Sequence, residues 1–222
     1  MSNTRKLASV QRVIGTESIE GADRIEIVKV LGWQCVTQKS NNLKPGSLVV
    51  YFEVDSLLPA VPQFEFLRKK PDQTEFRLKT IRLKGKYSQG LVLPLDHCYY
   101  EGAHGKIVLK AYGDDNPASP YIKYVNEGDD LTDFLGIKKY EPEIPAQLRG
   151  KIEGGFPYFI PKTDEPRIQG CPGVLERNKG TPMYITEKID GTSLTAYYYS
   201  LPNSDLPHKD RKSTRLNSSH RT

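Results

Sequence analysis

The chain has 222 residues, of which 37% are hydrophobic and 27% are charged, a composition typical of folded globular proteins. It contains no run of about 18 apolar residues and no secretory signal, so we expect a cytoplasmic protein without a membrane span. The three cysteines, Cys35, Cys98 and Cys171, lie far apart and form no Cys-x-x-Cys pair. This spacing argues against a disulfide framework and against a zinc ribbon.

The formal net charge of +5 is concentrated at the end of the chain. Residues 210–222 hold three arginines, one lysine and one aspartate, a net charge of +3. The letters D-R-K-S-T-R-L-N-S-S-H at 210–220 match the conceptual translation of a common sequencing-library adapter. We therefore predict that 210–222 is an adapter-derived, disordered tail, and the remaining charge indicates an anionic partner only weakly.

Short strands separated by turn signals are predicted over residues 7–95. Gly32 is expected to end one strand before the next begins at Trp33. Lys44-Pro45-Gly46 is expected to form a tight turn. The predicted strands are Arg24–Leu31, Trp33–Thr37, Ser47–Val54, Phe76–Leu83 and Ser88–Pro94. The third of these is nearly continuous in apolar character, which is typical of a central strand. About five strands without a long helix predict a small barrel or sandwich.

The chain changes character after this region. Residues 111–145 are predicted to be a loop-rich connector, with one or two helical turns at Asp129–Leu135. The prolines in Tyr140–Pro145 are typical of a linker, so we place a domain boundary near residue 140. Beyond a further loop-rich stretch, two strands are predicted at Met183–Asp190 and Ser193–Ser200.

The segment around Lys188 has the pattern of a nucleotidyl-transfer site. A strand over Met183–Asp190 would carry Tyr184, Thr186, Lys188 and Asp190 on one face and Met183, Ile185 and Ile189 on the other. We expect the apolar face to pack and the polar face to line a cavity, with Gly191 allowing a sharp turn. To attack phosphorus the lysine amine must be neutral, although its unperturbed pKa is about 10.4. An exposed strand lysine paired with Asp190 is the alternative, because K-x-D-G alone is a short pattern.

The residues Glu187-Lys188-Ile189-Asp190-Gly191-Thr192-Ser193 resemble motif I of the covalent nucleotidyltransferases, the superfamily of ATP-dependent ligases and capping enzymes. They are closer to the RNA ligases than to the DNA ligases. The stretch Ile160–Gln169 is similar to the segment that precedes motif I in RNA ligases with an N-terminal OB domain, the kind known from Naegleria. The residues Ile19–Val28 also resemble the opening of tRNA-binding OB domains.

This resemblance implies a site and its cofactors. Lys188 would attack the α-phosphorus of ATP, and the resulting lysyl-AMP would activate an RNA 5′-phosphate for sealing by a 3′-hydroxyl. Glu187, Asp190, Gly191 and Arg167 are the expected ATP-binding residues. Mg²⁺ or Mn²⁺ is implied as the cation, and its ligands are not assigned.

A basic segment in the first half of the chain is the candidate RNA contact. It contains Lys79, Arg82, Lys84, Lys86 and Tyr87. Cations interleaved with an aromatic ring are typical of a groove that follows a nucleic-acid strand. A basic edge strand that resists aggregation is the alternative interpretation.

Together these patterns predict a mostly β protein with short helices, of the α+β class: an OB-like barrel followed by an incomplete, ATP-grasp-like nucleotidyltransferase domain. The predicted divisions are an OB-like domain at 1–110, the connector at 111–145, the start of the nucleotidyltransferase domain at 146–209 and the tail at 210–222. We expect a monomer that acts on RNA and, because later ligase motifs are missing, a truncated chain without sealing activity of its own. A non-catalytic RNA-binding OB module and a DNA ligase or capping-enzyme relative remain as alternatives.

Overall fold

The computed structural model describes residues 5–102, 105–113, 121–141 and 167–187. The chain divides into two compact units. The first comprises Met1–Glu141 together with Pro166–Lys179, and the second comprises Pro142–Glu165 together with Gly180–Thr222. Within the described residues, no helix is long and apolar enough to cross a membrane.

Strands dominate the first unit, as the sequence predicts. The strands are β1 (Ala8–Ser18), β2 (Ile25–Val30), β3 (Trp33–Gln38), β4 (Leu48–Phe52), β5 (Ser56–Pro59), β6 (Glu75–Arg77), β7 (Ile81–Leu83), β8 (Lys86–Ser88), β9 (Leu91–Pro94), β10 (Tyr99–Gly102), β11 (Gly105–Ala111), β12 (Ile122–Val125) and β13 (Lys138–Lys139). Short 3₁₀ turns lie at Lys39–Asn41, Pro62–Leu67, Leu95–His97 and Ile168–Gly170, and one short helix, α1, spans Gly173–Arg177.

A curled five-stranded antiparallel sheet in the order β3-β2-β1-β4-β9 forms the half-barrel of an OB fold. Strand β1 pairs with β4 through its first half and with β2 through its second. The register shifts between Val13 and Gly15, and such an irregularity bends a strand and increases its twist. One long strand can thereby serve both sides of the curled sheet.

The predicted central strand is confirmed. Strand β4 lies between β1 and β9, with Val50 and Phe52 in one apolar core and Val49 and Tyr51 in another. Because both faces of the strand are buried, its sequence is apolar throughout rather than alternating. The predicted turn before it is also present: the Ser47 N–H donates to the Lys44 carbonyl at 2.9 Å.

The first unit extends beyond the predicted OB limit at residue 110. Three strands, β10 to β12, form a second sheet, and residues 121–141 add Val125, Leu131, Leu135 and Ile137 to the core that contains Phe52. Residues 121–141 of the predicted connector therefore pack against the barrel. Because its composition is typical of loops, the sequence did not indicate that these four apolar residues are buried.

The helical turn predicted within Asp129–Leu135 is present as a single turn. The Ile137 N–H donates to the Thr132 carbonyl at 2.8 Å and the Gly136 N–H to the Asp133 carbonyl at 3.1 Å. Gly136 has a φ of 65°, so this is a glycine-terminated helix end.

Two strand predictions need correction. The stretch Phe76–Leu83 is two strands, β6 and β7, because the buried Leu78 is held by hydrogen bonds to Asp55 and Ser56 before the chain leaves the barrel. Residues 183–187 of the second unit form no strand, and Ile185 is 97% exposed. The predicted apolar face is therefore largely exposed over these residues, with Met183 53% exposed, and a strand without a hydrogen-bonded neighbour is not stable in water. The rest of that strand, residues 188–190, lies outside the described residues.

Candidate functional site

A two-stranded hairpin carries four of the five predicted RNA-binding residues, and the fifth, Lys79, lies just before it. Strands β7 and β8 pair antiparallel, with Arg82 opposite Tyr87 and Leu83 opposite Lys86. The two turn residues, Lys84 and Gly85, have φ values of 47° and 79°. Positive φ at both positions is the mark of the hairpin turn whose twist matches that of the flanking strands. The sequence favours this turn because glycine adopts positive φ without strain.

The hairpin is strongly basic and exposed. Residues 76–95 contain five cations and no acidic residue. The predicted contact residues Lys79, Arg82, Lys84, Lys86 and Tyr87 are all exposed. Among the described residues, no ion pair neutralises the three lysines. The structure therefore leaves several positive charges of one surface segment available to a polyanion.

Arg82 and Tyr87 form a stacked pair on one face of this hairpin. The guanidinium carbon of Arg82 lies 5.6 Å from the Tyr87 ring centroid, within cation–π range. Arg82 Nε also donates to the Gly85 carbonyl at 3.1 Å, which fixes the arginine above the turn. Tyr87 remains 56% exposed, so its ring offers a surface on which a base could stack.

The hairpin is anchored to the barrel at its base. Gln34 Nε2 on β3 donates to the Tyr87 carbonyl at 2.8 Å, and the Gln89 N–H donates to the Gln34 carbonyl at 2.8 Å. The buried Ser88 hydroxyl accepts from the Val36 N–H at 2.9 Å and donates to the Gly90 carbonyl at 3.1 Å. These bonds hold the basic face at a fixed place beside β3.

The other face of the hairpin borders an open groove of about 1170 Å³. Ile81 and Leu83 line it from the hairpin, while Ile25 and Val36 line it from the barrel. Lys69 and Lys79 add positive charge to the same lining. The groove is thus apolar with cations, a combination that suits unstacked bases joined by phosphates.

Sequence reasoning missed the groove, including the lining residues Phe66 and Arg77. Phe66, in the 3₁₀ turn Pro62–Leu67, is 59% exposed, whereas its neighbour Phe64 is fully buried. Arg77 also lines the groove, but it is occupied by an ion pair with Asp55 at 2.7 Å and by the Tyr140 ring 3.5 Å from its guanidinium carbon. A helical turn starting at Pro62 could have indicated one buried and one exposed ring, because residues two apart lie on different sides of a 3₁₀ turn.

Of the residues predicted to bind the nucleotide, Arg167 and Glu187 are among the described residues. Arg167 lies in the first unit, exposed, with its guanidinium carbon 5.8 Å from the Trp33 ring centroid. Glu187 lies in the second unit and is exposed. Lys188, Asp190 and Gly191 lie outside the described residues, and their assignment to an ATP site stays a prediction. The part of the chain that is described holds no group of three His, Cys, Asp or Glu residues suited to a metal ion.

Comparisons with known proteins agree with this architecture. A family model described as an OB-fold domain matches residues 7–95. No curated protein sequence matches the chain. The structure of Naegleria gruberi RNA ligase with PPi is 35% identical and has a TM-score of 0.65, covering 96% of this chain and 56% of that one. Two variants of the same ligase, one apo and one with ATP and Mn, are each 34% identical, cover 96% of this chain and have TM-scores of 0.66 and 0.65. The chain spans a little over half of the length of these ligases, and it belongs with the RNA ligases that carry an N-terminal OB domain.

Proposed function

We propose that the protein to which this chain belongs is an ATP-dependent RNA ligase, which joins RNA 3′-hydroxyl and 5′-phosphate ends through a lysyl-AMP intermediate on Lys188. The observation that carries this proposal is the 35% identity to the Naegleria enzyme over 96% of the chain. The structures of that enzyme include complexes with ATP and Mn and with AMP and Mn. Nucleotide and metal dependence are accordingly part of the proposal for this chain.

The choice of Lys188 and Asp190 has additional support. Among the Naegleria structures are variants at a lysine and at an aspartate two positions later, the same spacing as Lys188 and Asp190 here. The structure of the lysine variant contains ATP and Mn. A nucleophile can be removed without loss of nucleotide binding, so this agrees with a covalent role for the lysine.

In this proposal Lys188 Nζ, as the neutral amine, forms a bond to the α-phosphorus, and the bond from that phosphorus to pyrophosphate breaks. Asp190 would orient the amine, and Gly191 would leave room for the nucleotide. A bound divalent cation, Mg²⁺ or Mn²⁺, would neutralise charge on the phosphates. Arg167 and Glu187 stay proposed nucleotide contacts, and each side chain is exposed within its own unit.

We assign RNA binding to the β7–β8 hairpin and the groove beside it. The lysines would contact phosphates, and Tyr87 would stack on a base. The exposed Phe66 and the apolar lining from Ile81 and Leu83 favour unpaired nucleotides, because the bases of a duplex are already stacked on one another.

A comparison of nucleotides and nucleic-acid substrates tests the proposal. The product of the complete transcript would be incubated with metal, with ATP or GTP, and with nicked RNA or nicked DNA, beside a Lys188→Ala control. Sealing of RNA with ATP, lost in the control, is the expected result. Sealing of DNA or use of GTP would instead identify a DNA ligase or capping-enzyme relative, and RNA binding without nucleotide transfer would identify a non-catalytic OB module.

A further inference from the structure

The turn between β2 and β3 makes a close contact with a distant segment of the chain. The Gly32 N–H donates to the Gln169 carbonyl at 2.9 Å. A Cβ atom added at Gly32 would lie 2.8 Å from the Cα of Gln169, closer than real Cβ atoms approach backbone. The φ of Gly32 is not positive, so the conformation does not require glycine there. Glycine is required at position 32 because residues 167–170 occupy the space that a side chain would need.

One further contact extends this attachment, and Gly170 lies near Glu53. The guanidinium carbon of Arg167 lies 5.8 Å from the ring centroid of Trp33, the residue after Gly32. An ideal Cβ on Gly170 would meet the Glu53 carboxylate at 3.9 Å, ordinary van der Waals distance. Residues 168–170 form a 3₁₀ turn, closed by a bond of 2.8 Å from the Gly170 N–H to the Arg167 carbonyl. A hydrogen bond, a cation–π contact and a close backbone approach thus act on one short segment.

We propose that Gly32 and Trp33 form an intramolecular docking site for residues 167–170, and that through it the barrel positions the segment that leads in sequence to Lys188. The OB domain then has two separate tasks. Its hairpin faces RNA, and its β2–β3 turn holds the chain that enters the nucleotidyltransferase half. Gly32 and Arg167 are positioning residues in this scheme.

The single tryptophan of the chain makes the docking site directly observable, because Trp33 is the only fluorophore of its kind. Trp33 is 6% exposed in the docked arrangement. The Gly32→Ala variant should displace residues 167–170, shift the Trp33 emission to the red and increase its quenching by acrylamide. Gly15→Ala is the matched control, since a Cβ there meets nothing within 4 Å and its φ is not positive.

Variants of Arg167, in the docked segment, distinguish a loss of docking from a loss of barrel folding. Arg167→Ala should change the Trp33 signal in the same direction, and Arg167→Lys, which keeps the cation, should restore part of it. Tryptic cleavage after Arg177 should accelerate about tenfold in Gly32→Ala, because an undocked segment opens more often. The circular dichroism spectrum should match that of the parent chain.

Each outcome decides the proposal without ATP or RNA, so it can fail while the ligase assignment stands. If the emission, quenching and cleavage of Gly32→Ala and Arg167→Ala equal those of Gly15→Ala, no docking site exists. If docking is lost as expected, the consequence for catalysis rests on the proposed function. Gly32→Ala should then slow adenylate transfer to Lys188 while RNA affinity is unchanged.

Discussion

Trp33 and Gln34 are neighbours on β3 that hold different parts of the chain. The Trp33 ring lies 5.8 Å from the guanidinium carbon of Arg167, while Gln34 Nε2 donates to the Tyr87 carbonyl at 2.8 Å. Successive side chains of a strand point to opposite faces, so one strand serves both the docked segment and the basic hairpin. Changes at the two positions should therefore have separable effects.

Removing the Tyr87 ring should weaken binding of single-stranded RNA. Loss of one stacked base costs about 1–3 kcal/mol, a factor of about 5–150 in affinity. Fluorescence anisotropy with a labelled oligonucleotide measures the change for Tyr87→Ala, and Tyr87→Phe should bind nearly as well as the parent chain. Tyr112→Ala is the control, because Tyr112 is 68% exposed but lies outside the hairpin. Equal losses for Tyr87→Ala and Tyr112→Ala would contradict specific stacking.

The two lysines of the hairpin, together with Lys79 just before it, should determine the salt dependence of RNA binding. The logarithm of the RNA association constant falls linearly with the logarithm of salt concentration. Each phosphate contact that is lost reduces the steepness of this fall by about 0.7 for a single strand. The combined change of Lys79, Lys84 and Lys86 to alanine should therefore flatten the slope, measured by titration at several salt concentrations. Lys29→Ala serves as control, since Lys29 is paired with Glu17 at 3.2 Å. An unchanged slope in the triple variant would remove the hairpin from the interface.

Four of the five strands of the barrel sheet were predictable from sequence because they follow simple patterns, but β1 (Ala8–Ser18) was not predicted. Strand β4 is apolar throughout and proves to be buried on both faces, and Lys44-Pro45-Gly46 has the residues its turn requires. The sheet of β10 to β12 was not predicted. Residues 121–141 are dominated by polar and turn-forming residues, and the burial of Leu131 depends on long-range packing that a local pattern does not contain.

The exposed cations of the candidate site could be read from the sequence, and their role in RNA binding stays a prediction. The exposure of Lys79, Arg82, Lys84 and Lys86 followed from their charge, whereas the groove needed the three-dimensional placement of Phe66 and Ile81. Gly32 was interpreted as a break between strands, and its close approach to Gln169 could not be read from either segment alone. Contacts between residues far apart in sequence require the fold.

Adding a methyl group at Gly90 should destabilise the barrel. Its φ is 132°, and a Cβ would lie 2.6 Å from both the Phe52 carbonyl and the Tyr51 ring. Backbone strain and overpacking together should lower the free energy of unfolding by about 2–5 kcal/mol in Gly90→Ala. Urea denaturation measures the loss, and Gly15→Ala should stay within about 0.5 kcal/mol of the parent chain. A Gly90→Ala variant as stable as Gly15→Ala would show that the close approach is absent.

Stability should decrease in alkaline solution because of Cys35. Burial raises the pKa of this thiol to about 12, from an ordinary value near 9.0. Between these values the folded state retains a proton that the unfolded state releases, so the free energy of unfolding falls as pH rises, by at most about 1.4 kcal/mol per pH unit. Burial also raises the pKa of Cys98, so a slope persists in Cys35→Ala but is shallower. Urea denaturation at several pH values above 9 measures both slopes, and identical slopes would contradict this account.

The central claim concerns the bond between Lys188 and AMP. The product of the complete transcript would be incubated with ATP and Mn²⁺, digested, and analysed by mass spectrometry for adenylylated peptides. We predict an acid-labile AMP adduct on the peptide that contains Lys188, and its loss in Lys188→Ala. An adduct on another residue, or no adduct from a folded protein that binds ATP, would contradict the assignment.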